Sequence, residues 1–105
     1  MTSPLCALIL LLVTLVRAQS LSSSCSLCLD LAGRAARQGT ETEDQTKQRV
    51  LNAANSYSGD DQTEYINEVN CHWKKYYGDA NQQNPQSLLS TCVDTGKCPI
   101  EVIFV

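Results

Sequence analysis

The stretch Cys25-Ser26-Leu27-Cys28 carries one pair of cysteines, and the stretch Cys92-Val93-Asp94-Thr95-Gly96-Lys97-Cys98 carries a second pair near the other end of the chain. Cysteines three residues apart share one face of a helix, so the first stretch can present two thiols side by side to a returning segment. We expect a nested pairing, Cys25 with Cys98 and Cys28 with Cys92, among the fifteen ways in which the five cysteines after residue 18 can form two bridges. One such loop stabilises a domain by about 4 kcal/mol, and a second parallel bridge adds less.

Residues 1–18 have the pattern of a secretory signal peptide. An uncharged apolar run over residues 5–16 leads into Val16-Arg17-Ala18, a small-residue cleavage pattern, so we expect cleavage after Ala18. The run is shorter than the roughly 20 apolar residues that a membrane-spanning helix needs, and a retained leader anchor is the alternative. Secretion would place the remaining cysteines in an oxidising compartment. We therefore expect a secreted, extracellular protein. A lysosome-like or digestive compartment is the alternative location.

The charge balance of the chain is acidic. Eight Lys and Arg residues stand against eleven Asp and Glu residues, a formal charge of −3, and loss of Arg17 with the leader makes the mature chain more acidic still. A nucleic-acid-binding domain normally presents a basic face, so we expect no nucleic-acid partner. The same balance weakens electrostatic attraction to anionic membranes.

The remaining chemistry of the sequence favours a non-enzymatic protein without a cofactor or metal. A zinc site built from the cysteines and His72 has enough ligands, yet an oxidising compartment favours disulfides over thiolate ligands. Cys71 and His72 are adjacent, and adjacent helical residues point about 100° apart, which disfavours a nucleophile–base pair. The Cys-x-x-Cys motif has no preceding thioredoxin-like strand, so we expect no redox catalysis there.

The pattern along the mature chain predicts four short amphipathic helices. The first runs from near the first cysteine to about Gln38, and the second spans Glu43–Asn55 behind a capping box at Thr40 or Thr42. The third is capped by Asp60 or Asp61 and ends at Gly78, and it carries an apolar stripe of Ile66, Val69, Trp73 and Tyr76. The fourth spans Pro85–Val93 behind Asn84.

The segment after Cys98 differs from everything before it. Residues 99–105 include the apolar, β-branched run Ile100–Val105. We expect this tail to pack over the open edge of the helical core; pairing as a strand and insertion into a partner are the alternatives.

Four amphipathic helices, an opening Cys-x-x-Cys and a closing Cys-x5-Cys together resemble the saposin B-type family. The resemblance covers roughly Cys25 to Cys98, within a domain of residues 19–98, and implies an all-α, saposin-like bundle of four to five short helices stapled by nested disulfides. Family members usually carry a third disulfide between two central cysteines, whereas this chain has only Cys71 there. Cys71 is then either a free, buried thiol or the site of an intermolecular disulfide.

The resemblance also implies a function. Saposin-like domains act on lipids or disrupt membranes, and their helical layers open to expose apolar inner faces. Applied to this chain, the lipid-facing candidates are Leu27, Leu31, Val50, Leu51, Ile66, Val69, Trp73, Tyr76, Leu88 and Leu89. Trp73 and Tyr76 suit the lipid interface, where aromatic rings with a polar group are favoured. The alternative is a secreted, non-enzymatic protein-interaction module with the same fold that forms a homodimer through Cys71.

Overall fold

The computed structural model describes residues 23–100, and this part of the chain is all-helical. Four α-helices are present in it, α1 Ser23–Arg34, α2 Glu43–Asn52, α3 Gly59–Asn81 and α4 Leu88–Asp94, and a 3-10 helix over Ala53–Ser56 follows α2. Two disulfides staple the helices, so the predicted class, a disulfide-stapled helical bundle, is confirmed. The leader and residues 101–105 of the apolar tail lie outside the described residues.

Helix α1 ends earlier than the sequence predicts. It stops at Arg34 rather than near Gln38 because a side chain from the next helix takes its last carbonyl groups. The Arg49 guanidinium donates to the carbonyl oxygens of Arg34 at 3.1 Å and Ala36 at 3.0 Å. A cation at this position also suits the negative end of the helix dipole.

Helix α2 begins where its capping box predicts. The Thr42 hydroxyl accepts from the backbone N–H of Gln45 at 3.1 Å, and the Gln45 side chain accepts from the N–H of Thr42 at 2.9 Å. The second of the two predicted frames is therefore the one used. The predicted end at Asn55 is wrong in detail, because the chain tightens into the 3-10 helix after Asn52.

Helix α3 is longer than predicted at both ends. It begins at Gly59 behind Ser58, so Asp60 and Asp61 lie in the first turn and are not the cap. At the other end it continues past Gly78 to Asn81. The Asn81 side chain stabilises this extension through hydrogen bonds to Ala35 and Arg37 in the loop after α1. A kink interrupts the helix at His72, whose φ of −130° and ψ of 23° are not helical.

Helix α4 is shorter than predicted. Its cap is Ser87, whose hydroxyl accepts from the N–H of Ser90 at 3.0 Å, and the predicted start at Asn84-Pro85 is wrong. Gly96 ends the helix with a φ of 79°, a conformation that favours glycine. The N–H of Gly96 bonds to the carbonyl of Val93, and the N–H of Lys97 bonds to the carbonyl of Cys92, which is the Schellman arrangement.

The helices form two layers. We call α1, α4 and the turn at residues 95–98 the stapled layer, because both disulfides lie within it. We call α2, the 3-10 helix and α3 the hairpin layer; α3 packs against α1 and α4 as well as against α2. The core lies between and within these layers.

Two loops, residues 35–42 and 82–87, connect the layers, and they meet at one end of the bundle. Asn81, at the end of α3, donates from its side chain to the carbonyl of Ala35 at 2.9 Å. Its side-chain oxygen accepts from the N–H of Arg37 at 2.7 Å. We call this end the hinge, since a rotation about it would separate the layers without breaking either bridge.

Candidate functional site

The two disulfides have the nested arrangement expected from the sequence. Cys25 is bonded to Cys98 with their Cα atoms 4.7 Å apart, and Cys28 is bonded to Cys92 with theirs 5.8 Å apart. All four cysteines are buried. The first turns of α1 are thereby fixed against the end of α4, while α2 and the 3-10 helix contain no cysteine.

Most of the lipid-facing candidates lie inside the closed bundle. Six are buried, namely Leu27, Leu31, Val50, Val69, Trp73 and Tyr76. Three more pack against this core and are partly buried, namely Leu51, Ile66 and Leu89. Leu88 is 46% exposed and lies over Gly33, where α4 crosses α1. Apart from Leu88, the candidates therefore form one apolar surface that both layers cover.

The buried face of α3 is rotated relative to the predicted stripe. Tyr65, which is not part of that stripe, is 1% exposed, while Ile66 is only partly buried. The Tyr65 hydroxyl donates to the carbonyl of Val50 at 3.0 Å, and burial raises the pKa of Tyr65 to about 12. Tyr65 thus joins α3 to α2 within the hairpin layer.

Neither Trp73 nor Tyr76 lies at the surface of the closed bundle. Trp73 is 5% exposed, and its indole N–H donates to Glu43 at 2.9 Å. Lys74 bonds to the same Glu43 oxygen at 2.8 Å, and this hydrogen bond, more than that from Trp73, lowers the pKa of Glu43. An interfacial position for Trp73 and Tyr76 therefore requires the bundle to open.

A buried polar cluster at the centre of the core was missed by the sequence pattern. The Tyr76 hydroxyl donates to Glu68 Oε1 at 2.8 Å and lies 3.1 Å from the sulfur of Cys28. Lys97 Nζ lies 3.2 Å from Glu68 Oε2, with the side chains of Lys97 and Glu68 only 1% and 6% exposed. Burial, followed by the charge of Glu68, raises the pKa of Tyr76 far above its ordinary value.

The contact between Lys97 and Glu68 is an ion pair without hydrogen-bond geometry. Within residues 23–100, Lys97 Nζ donates no hydrogen bond. An ammonium group has three donors, so this burial is poorly compensated. A cavity of about 10 Å³, the size of one water molecule, adjoins the pair and is also lined by Ser24 and Glu64.

The turn after α4 explains why Lys97 points inward. In a Schellman motif the second residue after the cap commonly packs back on the last helical turn and is usually apolar. Lys97 occupies that position, directly after Gly96 and between the core residues Cys92 and Cys98. The sequence does carry a signal for this position. Gly96 is typical of a residue that ends a helix, and the residue directly after such a glycine, here Lys97, is the one that packs back on the helix.

A second polar cluster fixes the hinge. Glu41 accepts two hydrogen bonds from the Arg49 guanidinium, at 2.9 and 3.0 Å, and one from the Thr46 hydroxyl at 3.0 Å. The hydrogen bonds from Arg49 are the main reason that the pKa of Glu41 is lowered to about 2. Because Arg49 also binds the carbonyl groups at the end of α1, this cluster joins the first loop to both layers.

Cys71 and His72 lie at the kink in α3 and are partly buried. Cys71 counts among the disulfide-bonded cysteines, so the structure assigns no free thiol there. Its role in an intermolecular disulfide stays a prediction. His72 Nε2 is buried without a hydrogen-bond partner among residues 23–100.

Between residues 23 and 100, no cluster of three or more His, Cys, Asp or Glu residues is arranged to hold a metal ion. Over the same residues, no helix has both the length and the apolar character to cross a bilayer.

Comparisons with family models, with curated proteins and with solved structures returned no match to this chain.

Proposed function

We propose that this chain is a secreted, non-enzymatic, saposin-like protein that binds lipids or membrane surfaces through the apolar faces between its two layers. When the bundle opens at its hinge, the apolar faces of the two layers would contact lipid acyl chains instead of each other. The resemblance of the cysteine motifs to the saposin B-type family supplies the class of ligand, and the bundle supplies a physical route to it.

The observation that carries this proposal is the placement of the candidate residues. Nine of the ten candidates are buried or partly buried, and together they form one apolar surface between and within the layers. The bonds between Cys25 and Cys98 and between Cys28 and Cys92 lie within the stapled layer, so opening leaves both intact. Buried apolar surface contributes roughly 25 cal/mol per Å², and contact with acyl chains would recover much of what opening exposes.

Acidic conditions should favour binding to anionic vesicles. Protonation of exposed Asp and Glu residues, whose intrinsic pKa values lie near 4, reduces the repulsion between an acidic protein and anionic lipid. Glu41 is an exception, because its lowered pKa of about 2 keeps it ionised at pH 4. The hinge cluster would therefore persist under conditions in which the rest of the surface loses charge.

Vesicle binding with brominated lipids tests the proposal. The full chain would be expressed with its leader, and the secreted protein would be mixed with anionic or neutral vesicles between pH 4 and 7. Trp73 is the single tryptophan, and bromine on an acyl chain quenches only a nearby indole. We expect co-sedimentation together with Trp73 quenching, strongest with anionic vesicles at low pH.

Two results would contradict the proposal in different ways. Co-sedimentation without quenching would mean that the outer surface, not the inner apolar faces, contacts the membrane. An absence of co-sedimentation and of dye leakage at every pH would instead favour the protein-interaction module. Phe substitution of Trp73 provides the matched control, because it keeps an aromatic ring and removes the fluorescence that is quenched.

A further inference from the structure

Polar contacts outside the hinge cluster also hold the two layers together. The Ser24 hydroxyl donates to Glu64 at 2.8 Å, and the Tyr57 hydroxyl donates to Asp30 at 2.7 Å. The ion pair between Lys97 and Glu68 lies deeper, and the Tyr76 hydroxyl links its Glu68 side to the sulfur of Cys28. Each of these contacts joins the stapled layer to the hairpin layer.

The ion pair differs from the other two contacts in its burial. Taking two charges out of water is costly, and their mutual attraction offsets that cost only when hydrogen bonds satisfy the remaining donors. Lys97 lacks such hydrogen bonds within residues 23–100. Separation of the layers would return both charges to water, so the pair makes opening easier than an apolar contact of the same size would.

We infer that the Glu68–Lys97 ion pair is an internal latch. With both charges present, the pair holds the hairpin layer against the stapled layer. The layers nevertheless separate at a lower energetic cost than they would with an apolar contact of the same size at that position. This inference rests on the proposed function for its purpose, since a latch matters only if the bundle opens. Its geometry and its test are independent of any lipid. The partners need each other: either charge left alone in the core would drive the layers apart.

Three variants test the latch in the absence of lipid. Glu68→Gln keeps an oxygen to accept from Tyr76 but leaves the Lys97 charge unpaired, and Lys97→Met leaves the Glu68 charge unpaired. The double variant E68Q/K97M removes both charges. We expect each single variant to increase binding of a hydrophobic dye by at least about tenfold, and the double variant to bind no more dye than the natural protein.

An exposed ion pair of the same chemistry provides the control. Lys74 lies 2.8 Å from Glu43, with the Lys74 side chain 85% exposed. The variants E43Q, K74M and E43Q/K74M should leave dye binding unchanged, because exposed pairs contribute little to stability and E43Q keeps an oxygen that can accept from the Trp73 indole. Far-UV circular dichroism distinguishes opening from unfolding, because separated layers keep their helices.

The outcomes separate the latch from the proposed function. The latch would be overturned if the increases in dye binding of the two single variants added in the double variant. It would also be overturned if no variant at positions 68 and 97 changed dye binding. If a single variant loses its helical circular dichroism signal, the double variant E68Q/K97M still tests the latch. Its core contains neither charge, so the latch requires the double variant to have the helical signal of the natural protein. Dye binding as expected, combined with no vesicle binding by any variant, would support the latch and contradict the lipid function.

Discussion

Removal of the disulfides singly and together tests how much each bridge adds to the free energy of unfolding. The substitutions are Cys28→Ala with Cys92→Ala, Cys25→Ala with Cys98→Ala, and all four together. Alanine suits these sites because all four cysteines are buried in the core. The bridges close segments with sequence separations of 64 and 73 residues.

The expected losses follow from the entropy of loop closure. Either bridge alone closes a loop of roughly 65 to 75 residues, which corresponds to about 4 kcal/mol. With one bridge in place, the other closes only a small ring made of residues 25–28 and 92–98, roughly eleven residues, which corresponds to about 3 kcal/mol. Loss of one bridge should thus cost about 3 kcal/mol, and loss of both about 7 kcal/mol.

Denaturant unfolding without reductant measures these losses. Each variant would be unfolded in urea, followed by far-UV circular dichroism, and its free energy of unfolding compared with that of the natural protein. A cost of about 4 kcal/mol for each single bridge, with simple additivity, would contradict the nested ring. A cost near zero for either bridge would show that it does not constrain the unfolded chain.

Three further predictions concern the core, a helix cap and the hinge. Leu31→Ala should lower the free energy of unfolding by about 2–5 kcal/mol, whereas Leu88→Ala, at a site 46% exposed, should cost less than about 1 kcal/mol in the same urea titration. Thr42→Ala should cost about 1 kcal/mol through loss of the capping box, and Thr42→Ser, which keeps the hydroxyl, should cost little; equal losses would contradict the cap. Glu41 has a folded-state pKa of about 2, below its ordinary value of 4.5, so its contribution to stability is present above pH 4.5 and is lost as the pH falls toward 2. The unfolding free energy of Glu41→Gln should therefore depend less steeply on pH between 4.5 and 2, and an unchanged slope would contradict the pairing with Arg49.

The helices and their covalent connections could be predicted because the signals for them are local. Cysteine spacing and a capping box at Thr42 each act over a few residues. The ends of α1 and α3 could not be predicted in the same way. Arg49 ends α1 from fifteen residues away, and Asn81 extends α3 past Gly78 through contacts with Ala35 and Arg37. Such contacts between distant residues are visible only when the fold is known.

The buried ion pair escaped the sequence pattern for a related reason. Charged residues are almost never fully buried unless they are paired, so a pattern of apolar positions assigns Glu68 and Lys97 to the surface. Glu68 lies three residues after Tyr65, which would place it on the buried face only if Tyr65 rather than Ile66 defines that face. Together these features concealed the inward-facing charge.

The loop at residues 82–87 lies between the two halves of both bridges, and every residue in it is exposed. A protease that cuts this loop produces one fragment with Cys25 and Cys28 and another with Cys92 and Cys98. The fragments stay joined by two disulfides, so the cleaved protein remains a single covalent molecule until it is reduced. Cleavage there also releases one of the two connections at the hinge, and the nicked protein would open more freely than the intact chain.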